Sequence, residues 1–255
     1  MVSGSFQGLI TSNCFYIVGP SVDGTFVPHP LEELLTQGKF ATDLKILIGR
    51  NADEGSIILS EATVGDSTPW ESFLYALFPT GPQSTFDKVT ELYPPIYNGS
   101  YPWTTLFLRE GQIFADAVAL SCGANWLPKA LAPFKKQKDN AWAYMFSVPN
   151  ITAAMHGYDI FSTFYNGPGG DNPNIAIPEV ALMHQRFLVN FIKNGDPNIG
   201  ARVPHFDSYD SGKGNWMLNY TLDENGRAKF VKIVDPDVNP RCDWWETLDY
   251  PHYTT

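Results

Sequence analysis

The chain has 255 residues, 44% of them hydrophobic and 14% aromatic, enough to bury one large core. Seventeen Lys and Arg against 27 Asp and Glu give a formal net charge of −10, which argues against nucleic acid or an anionic membrane surface as a partner and needs no explanation beyond solubility. Three cysteines, Cys14, Cys122 and Cys242, without a C-x-x-C spacing argue against zinc and allow one disulfide with one thiol over.

The opening stretch MVSGSFQGLI lacks a basic region followed by an apolar run, so it does not read as a signal peptide. No run is long enough to span a bilayer. Asn-x-Ser/Thr triplets at Asn98, Asn150 and Asn219, taken with a possible disulfide, lean instead towards a secreted protein. The two signals agree if the chain's true start lies upstream; otherwise the protein is cytosolic.

Pro30, LEELLTQ and Gly38 predict a short helix with proline in its first turn and glycine after its end. KILIG, residues 45–49, predicts a buried strand. Residues 69–95 carry helical patterning between proline-rich breaks, and residues 109–132 predict a longer helix interrupted by Pro128. AWAYMFSV, residues 141–148, predicts a second buried strand that ends in the loop NITAAMHGYDI. PEVALMHQRFLVNFIKNG predicts an amphipathic helix with Val180, Met183, Phe187, Phe191 and Ile192 near one face and Gly195 closing it. WMLNYTL and FVKIV, joined by DENG, predict two edge strands, and PRCDWWETL a short terminal helix.

Strands alternating with helices predict an α/β fold. Two buried strands are fewer than a central parallel sheet needs, which predicts one incomplete domain over residues 1–255, with no internal boundary, repeat or low-complexity linker.

The chemistry-bearing residues follow the two buried strands. Glu54 comes just after the first and His156, flanked by Gly157, just after the second. Alone, His156 reads more readily as a surface-loop histidine, and the alternative for Glu54 is a helix-capping carboxylate. Together they lie where α/β sheets place their sites, outside the carboxyl ends of strands. A carboxylate on one imidazole nitrogen sets the tautomer and frees the other nitrogen to take a proton. The order acid-then-histidine is that of α/β-hydrolases, in which a serine precedes both.

GRNADEG (residues 49–55) resembles the acid-bearing motif of the type B carboxylesterase/lipase family, which includes cholinesterases and fungal lipases, and AMHGYDI resembles its histidine motif. PSVDGTFVPHPLEELLTQGKF, FIKNGDPN and RCDWWETL resemble further segments of that family in the same order. The resemblance implies the C-terminal part of an α/β-hydrolase fold, with Glu54 as the triad acid, His156 as the general base and Asp159 as an acid behind them. It also implies a Cys122–Cys242 disulfide that leaves Cys14 over, a secreted parent protein, a carboxylic ester or lipid as substrate, and no cofactor or metal.

No G-x-S-x-G occurs in the sequence, and the family's glycine-rich oxyanion segment has no counterpart. The expected nucleophile is therefore not on this chain, which should be inactive alone unless a separate N-terminal half complements it. Two other functions stand beside the hydrolase: a non-catalytic cholinesterase-like binding or adhesion protein, against which both retained residues argue, and a truncated product without activity. His184 reads as a half-buried structural histidine, and His29, His205 and His252 as loop or terminal residues. Trp70, Phe73, Tyr75 and Phe78 read as core more readily than as an acyl pocket, and YNGPGGDNPN (165–174) lacks the lysine of a phosphate loop.

Overall fold

The computed structural model describes residues 22–56, 70–118, 120–134, 140–149, 154–167, 177–200, 204–209 and 214–247. Cys14, Asn150, His252 and most of the loop 165–174 lie outside the described residues. The elements run α1 (Leu31–Thr36), β1 (Ile46–Asn51), α2 (Trp70–Leu77), α3 (Gln83–Leu92), α4 (Leu106–Ala117), α5 (Cys122–Leu131), a 3-10 turn (Ala132–Phe134), β2 (Ala141–Phe146), α6 (Tyr158–Thr163), α7 (Pro178–Asn194), β3 (Trp216–Leu222), β4 (Ala228–Val234) and α8 (Pro240–Trp245). They divide into two compact units, Met1–Phe40 with Gly55–Cys122 and Asn239–Thr255, and Ala41–Glu54 with Gly123–Val238. None of the described helices is long and apolar enough to cross a membrane.

The second unit holds the sheet, in the order β1-β2-β3-β4. β1 and β3 run parallel to β2, and β4 runs antiparallel to β3. β3 is thus interior, where the sequence predicted an edge strand; the turn after it returns the chain as β4. Conversely, residues 46–49 of β1 are only half-buried. Among the described residues β1 pairs with β2 alone, so its other edge carries no paired strand there.

Alternation along the strands builds two different faces. Trp142, Tyr144 and Phe146 of β2 point to one side, where with Leu218 and Tyr220 they pack against Val180 and Phe187 of α7 and against Phe206. Ala141 and Ala143 point to the other, a smaller cluster with Tyr209 and Met217. In α7, Val180, Ala181, His184 and Phe187 are buried, and Gly195 ends the helix at φ 66°. Ile192 is 79% exposed, unlike its expected companions. One residue beyond Phe191 is about 100° further round the helix, which carries it off the packed face.

The expected long helix over 109–132 is two helices. The chain leaves the helical path after Ala117, with the Leu120 and Ser121 amides turned back to the Ala115 carbonyl, while Pro128 sits inside α5 without ending it.

In the first unit, Cys122 and Cys242 form a disulfide, with Cα atoms 5.2 Å apart and a sequence separation of 120. A loop of that length corresponds to about 5 kcal/mol in the chain-entropy account. Asp116 lies beside it. Its carboxylate accepts from the Tyr93 hydroxyl at 2.6 Å and from Gln112 at 2.8 Å, while the Trp245 indole donates to Tyr93 at 2.6 Å. With both thiols consumed in the S–S bond, this trio offers a metal only a carboxylate that is already hydrogen-bonded. Phe73 and Phe78 are core, as the sequence suggested, whereas Tyr75 is 55% exposed.

Gly55 and Gly111 of α4 touch backbone to backbone; a Cβ on Gly55 would overlap the Gly111 carbonyl. The neighbouring Glu110 is 1% exposed, and its Oε2 has no hydrogen-bond partner among the described residues. Burial pushes its carboxyl up to about 7, against the counter-pull of Arg109. A carboxyl whose proton is held more tightly in the folded than in the unfolded chain stabilises fully below the unfolded value and progressively less as pH rises towards 7. Glu110→Gln should therefore leave stability near pH 4.5 almost unchanged and raise it above pH 7 by something of the order of 1–3 kcal/mol. Urea unfolding at the two pH values measures this; equal effects at both would refute a neutral Glu110.

Candidate active site

β1 and β2 run side by side and release their chains at the same end of the sheet. The pairing outlasts the strands. Ala52 N–H donates to the Phe146 carbonyl at 2.9 Å and Asp53 N–H to the Ala154 carbonyl at 3.0 Å, and Asp53 makes a parallel bridge to Met155. Each hydrogen-bonded step fixes the separation of the two chains. Glu54 and His156 are the next residues on either side, so the ladder delivers them as neighbours.

His156 Nδ1 lies 2.5 Å from Glu54 Oε2. With an ionised carboxylate as acceptor, the ring proton sits on Nδ1 and Nε2 keeps its lone pair. The His156 side chain is 34% exposed and that of Glu54 only 5%, so the imidazole faces outward and the acid lies behind it. The other carboxylate oxygen, Oε1, accepts the Asn51 backbone N–H at 2.5 Å and lies 3.4 Å from Asn51 Nδ2.

Asp159 lies in the first turn of α6, three residues beyond His156. Its Oδ1 accepts from Asn51 Nδ2 at 3.1 Å, its N–H donates to Asn51 Oδ1 at 3.2 Å, and its Oδ2 accepts from the Tyr144 hydroxyl at 2.8 Å. The Tyr144 ring occupies the space a side chain at position 49 would need, since a Cβ on Gly49 would fall within the ring. Gly157, at φ 80°, starts α6 in the left-handed region that glycine tolerates best.

The hydrogen bond to Glu54 raises the His156 imidazole above its ordinary value, burial opposes this, and the charges of Glu54 and Asp159 add to the rise. Burial, with Asp159 beside it, holds the Tyr144 phenol firmly protonated and thus a donor. His184 is completely buried rather than half-buried, with Nε2 3.0 Å from Thr163 Oγ1. Burial pushes it down to about 4, so it stays neutral near pH 7.

The structure thus brings together Glu54, His156 and Asp159, the three site residues expected from the sequence. Asn51 and Tyr144 join them, although neither stood out in the sequence. Asn51 lay inside the acid motif itself, and the alternation of β2 put Tyr144 on the face shared with Trp142 and Phe146. His29 and His205 are exposed, beside Glu33 and Asp207. Of the sequons, Asn98 is exposed, while Asn219 lies in β3 with Oδ1 accepting from Ser147 at 2.6 Å.

The sequence profile of the carboxylesterase family matches residues 5–233. The chain belongs to the carboxylesterase family. It is 32% identical over 237 residues to carboxylesterase patB of Aspergillus clavatus, covering 92% of this chain and 38% of that protein. It is 27% identical over 210 residues to lipase 1 of Geotrichum candidum, covering 76% of this chain and 34% of that protein. The chain therefore spans well under half the length of these relatives. Among solved structures it resembles Aspergillus niger EstA, with a TM-score of 0.69 at 18% identity over 91% of this chain and 45% of that one. The α/β-hydrolase fold class is therefore shown, with a mixed sheet and helices forming part of that fold.

The Glu54–His156 hydrogen bond makes a direct prediction. In an NMR titration His156 should protonate above the ordinary histidine midpoint, and Glu54→Gln should bring the midpoint down by about one pH unit or more, because a neutral amide holds imidazolium less well. An unchanged midpoint would show that the two side chains do not interact in solution.

Proposed function

We propose that this carboxylesterase-family chain supplies the acid and the base of a Ser-His-Glu hydrolase acting on carboxylic esters. The observation carrying this reading is the 2.5 Å contact between Nδ1 of a partly exposed His156 and a nearly buried Glu54. The nucleophilic serine and the oxyanion-binding amides come from sequence outside these 255 residues. Supporting that are the absence of any G-x-S-x-G here and the coverage of only 38% of the patB relative.

In the proposed cycle His156 Nε2 accepts the serine proton as the oxygen attacks the ester carbonyl. The resulting imidazolium passes that proton to the departing alcohol, leaving an acyl-enzyme, which water hydrolyses by the same relay. Glu54 holds the ring and stabilises its charged form without taking the proton. Asp159 sits behind the pair and adds negative potential. A binding or adhesion protein would have no use for so close a Glu–His pair. Secretion fits the Cys122–Cys242 disulfide, and of the two described sequons exposed Asn98 is the better placed for a glycan.

In the ester-hydrolysing protein that contains this chain, Glu54→Gln and His156→Ala should each lower kcat/KM by about a thousandfold or more. The acidic limb of the wild-type pH profile should lie above the ordinary histidine midpoint, since the base works only when neutral. Near-normal turnover in either variant would remove that residue from the mechanism.

A further inference from the structure

Asn51 is 3% exposed, and its backbone N–H and side-chain amide reach the acid and the residue behind it. Its backbone N–H meets Glu54 Oε1 at 2.5 Å. Its side-chain amide makes two bonds to one residue, donating from Nδ2 to Asp159 Oδ1 at 3.1 Å and accepting the Asp159 N–H on Oδ1 at 3.2 Å. Its carbonyl accepts from Arg50 Nη1 at 3.1 Å, and Arg50 is anchored by a buried ion pair to Asp237 at 2.6 Å. Asp159 is held from its other side by Tyr144.

Asn51 therefore belongs to both halves of the pair. Through its backbone it fixes the carboxylate of Glu54, three residues on. Through its side chain it fixes the first turn of α6, and with it Gly157 at the helix start and the orientation of His156. The double bond to Asp159 needs a donor and an acceptor on one short rigid group. Aspartate would lose the donor and put a third carboxylate beside Glu54 and Asp159. Serine is too short to make both bonds, and glutamine is one carbon too long. From this geometry we infer that Asn51 is a positioning residue that sets the Glu54–His156 hydrogen bond by clamping the acid loop to the first turn of α6.

This inference rests on the acid–base reading above, and the experiment separates the two. The protein that contains this chain, labelled in its histidines, is titrated by NMR as wild type, Glu54→Gln, Asn51→Ala and Asn51→Ser, with the His156 signal assigned from His156→Gln. Amide dispersion reports folding in the same samples. Both Asn51 variants should stay folded and show a His156 midpoint lowered towards that of Glu54→Gln, by about half a pH unit or more. The Nδ1 proton signal, far downfield in the wild type, should weaken with it. If Glu54→Gln leaves the midpoint unmoved, the acid–base reading itself fails. If Glu54→Gln lowers the midpoint while folded Asn51→Ala or Asn51→Ser leaves it at the wild-type value, only the positioning role is overturned. Loss of the fold in both Asn51 variants would also overturn it, since Asn51 would then be a general structural residue.

Discussion

The arrangement depends on the parallel pairing of β1 with β2, and above all on its persistence past the strand ends. Two chains that separate from a sheet normally diverge. Here the Ala52 and Asp53 amides remain bonded to Phe146 and Ala154, so the chains leave together. The acid and the histidine are 102 residues apart in sequence, yet they come into contact with little conformational freedom left to remove. The packing serves the same end. Bulky β2 side chains on one face of the sheet seat α7, and α6 follows directly from the histidine loop.

The electrostatics are organised around keeping one imidazole beside two carboxylates. Glu54 and Asp159 both favour the charged ring, and each carboxylate accepts hydrogen bonds from protein donors. Glu54 draws on Asn51, and Asp159 on Asn51 and Tyr144. Tyr144 can donate to Asp159 because its phenol does not ionise in this setting. His184, stacked edge-on to Tyr144 and Tyr220, adds no charge beneath them because burial keeps it neutral near pH 7. A network with its donors and acceptors matched in this way loses little free energy to burial and keeps its geometry.

Much of this was legible from residue order. Glu54 and His156 each follow an apolar run that ends in a glycine-bearing loop, and that pattern marks the carboxyl end of a strand whether or not a relative is known. The cysteine pair was legible only through resemblance, because spacing alone does not choose among the three possible pairings. Other features depend on three-dimensional neighbours. Gly49 reads as an unremarkable strand glycine until the Tyr144 ring is seen lying over it. Asn51 is one polar residue among several in its motif, and its role follows from a contact 108 residues away. The interior place of β3 and the exposure of Ile192 were missed for the same reason: periodicity describes a face but not what lies against it.

The central claim is that this chain carries the acid and base of an esterase and that its nucleophile lies elsewhere. Labelling the native protein with a fluorophosphonate and mapping the modified peptide tests it most directly. The account predicts a single labelled serine within a G-x-S-x-G sequence that is absent from these 255 residues. Label on any residue of this chain, or no labelled peptide at all, would contradict it.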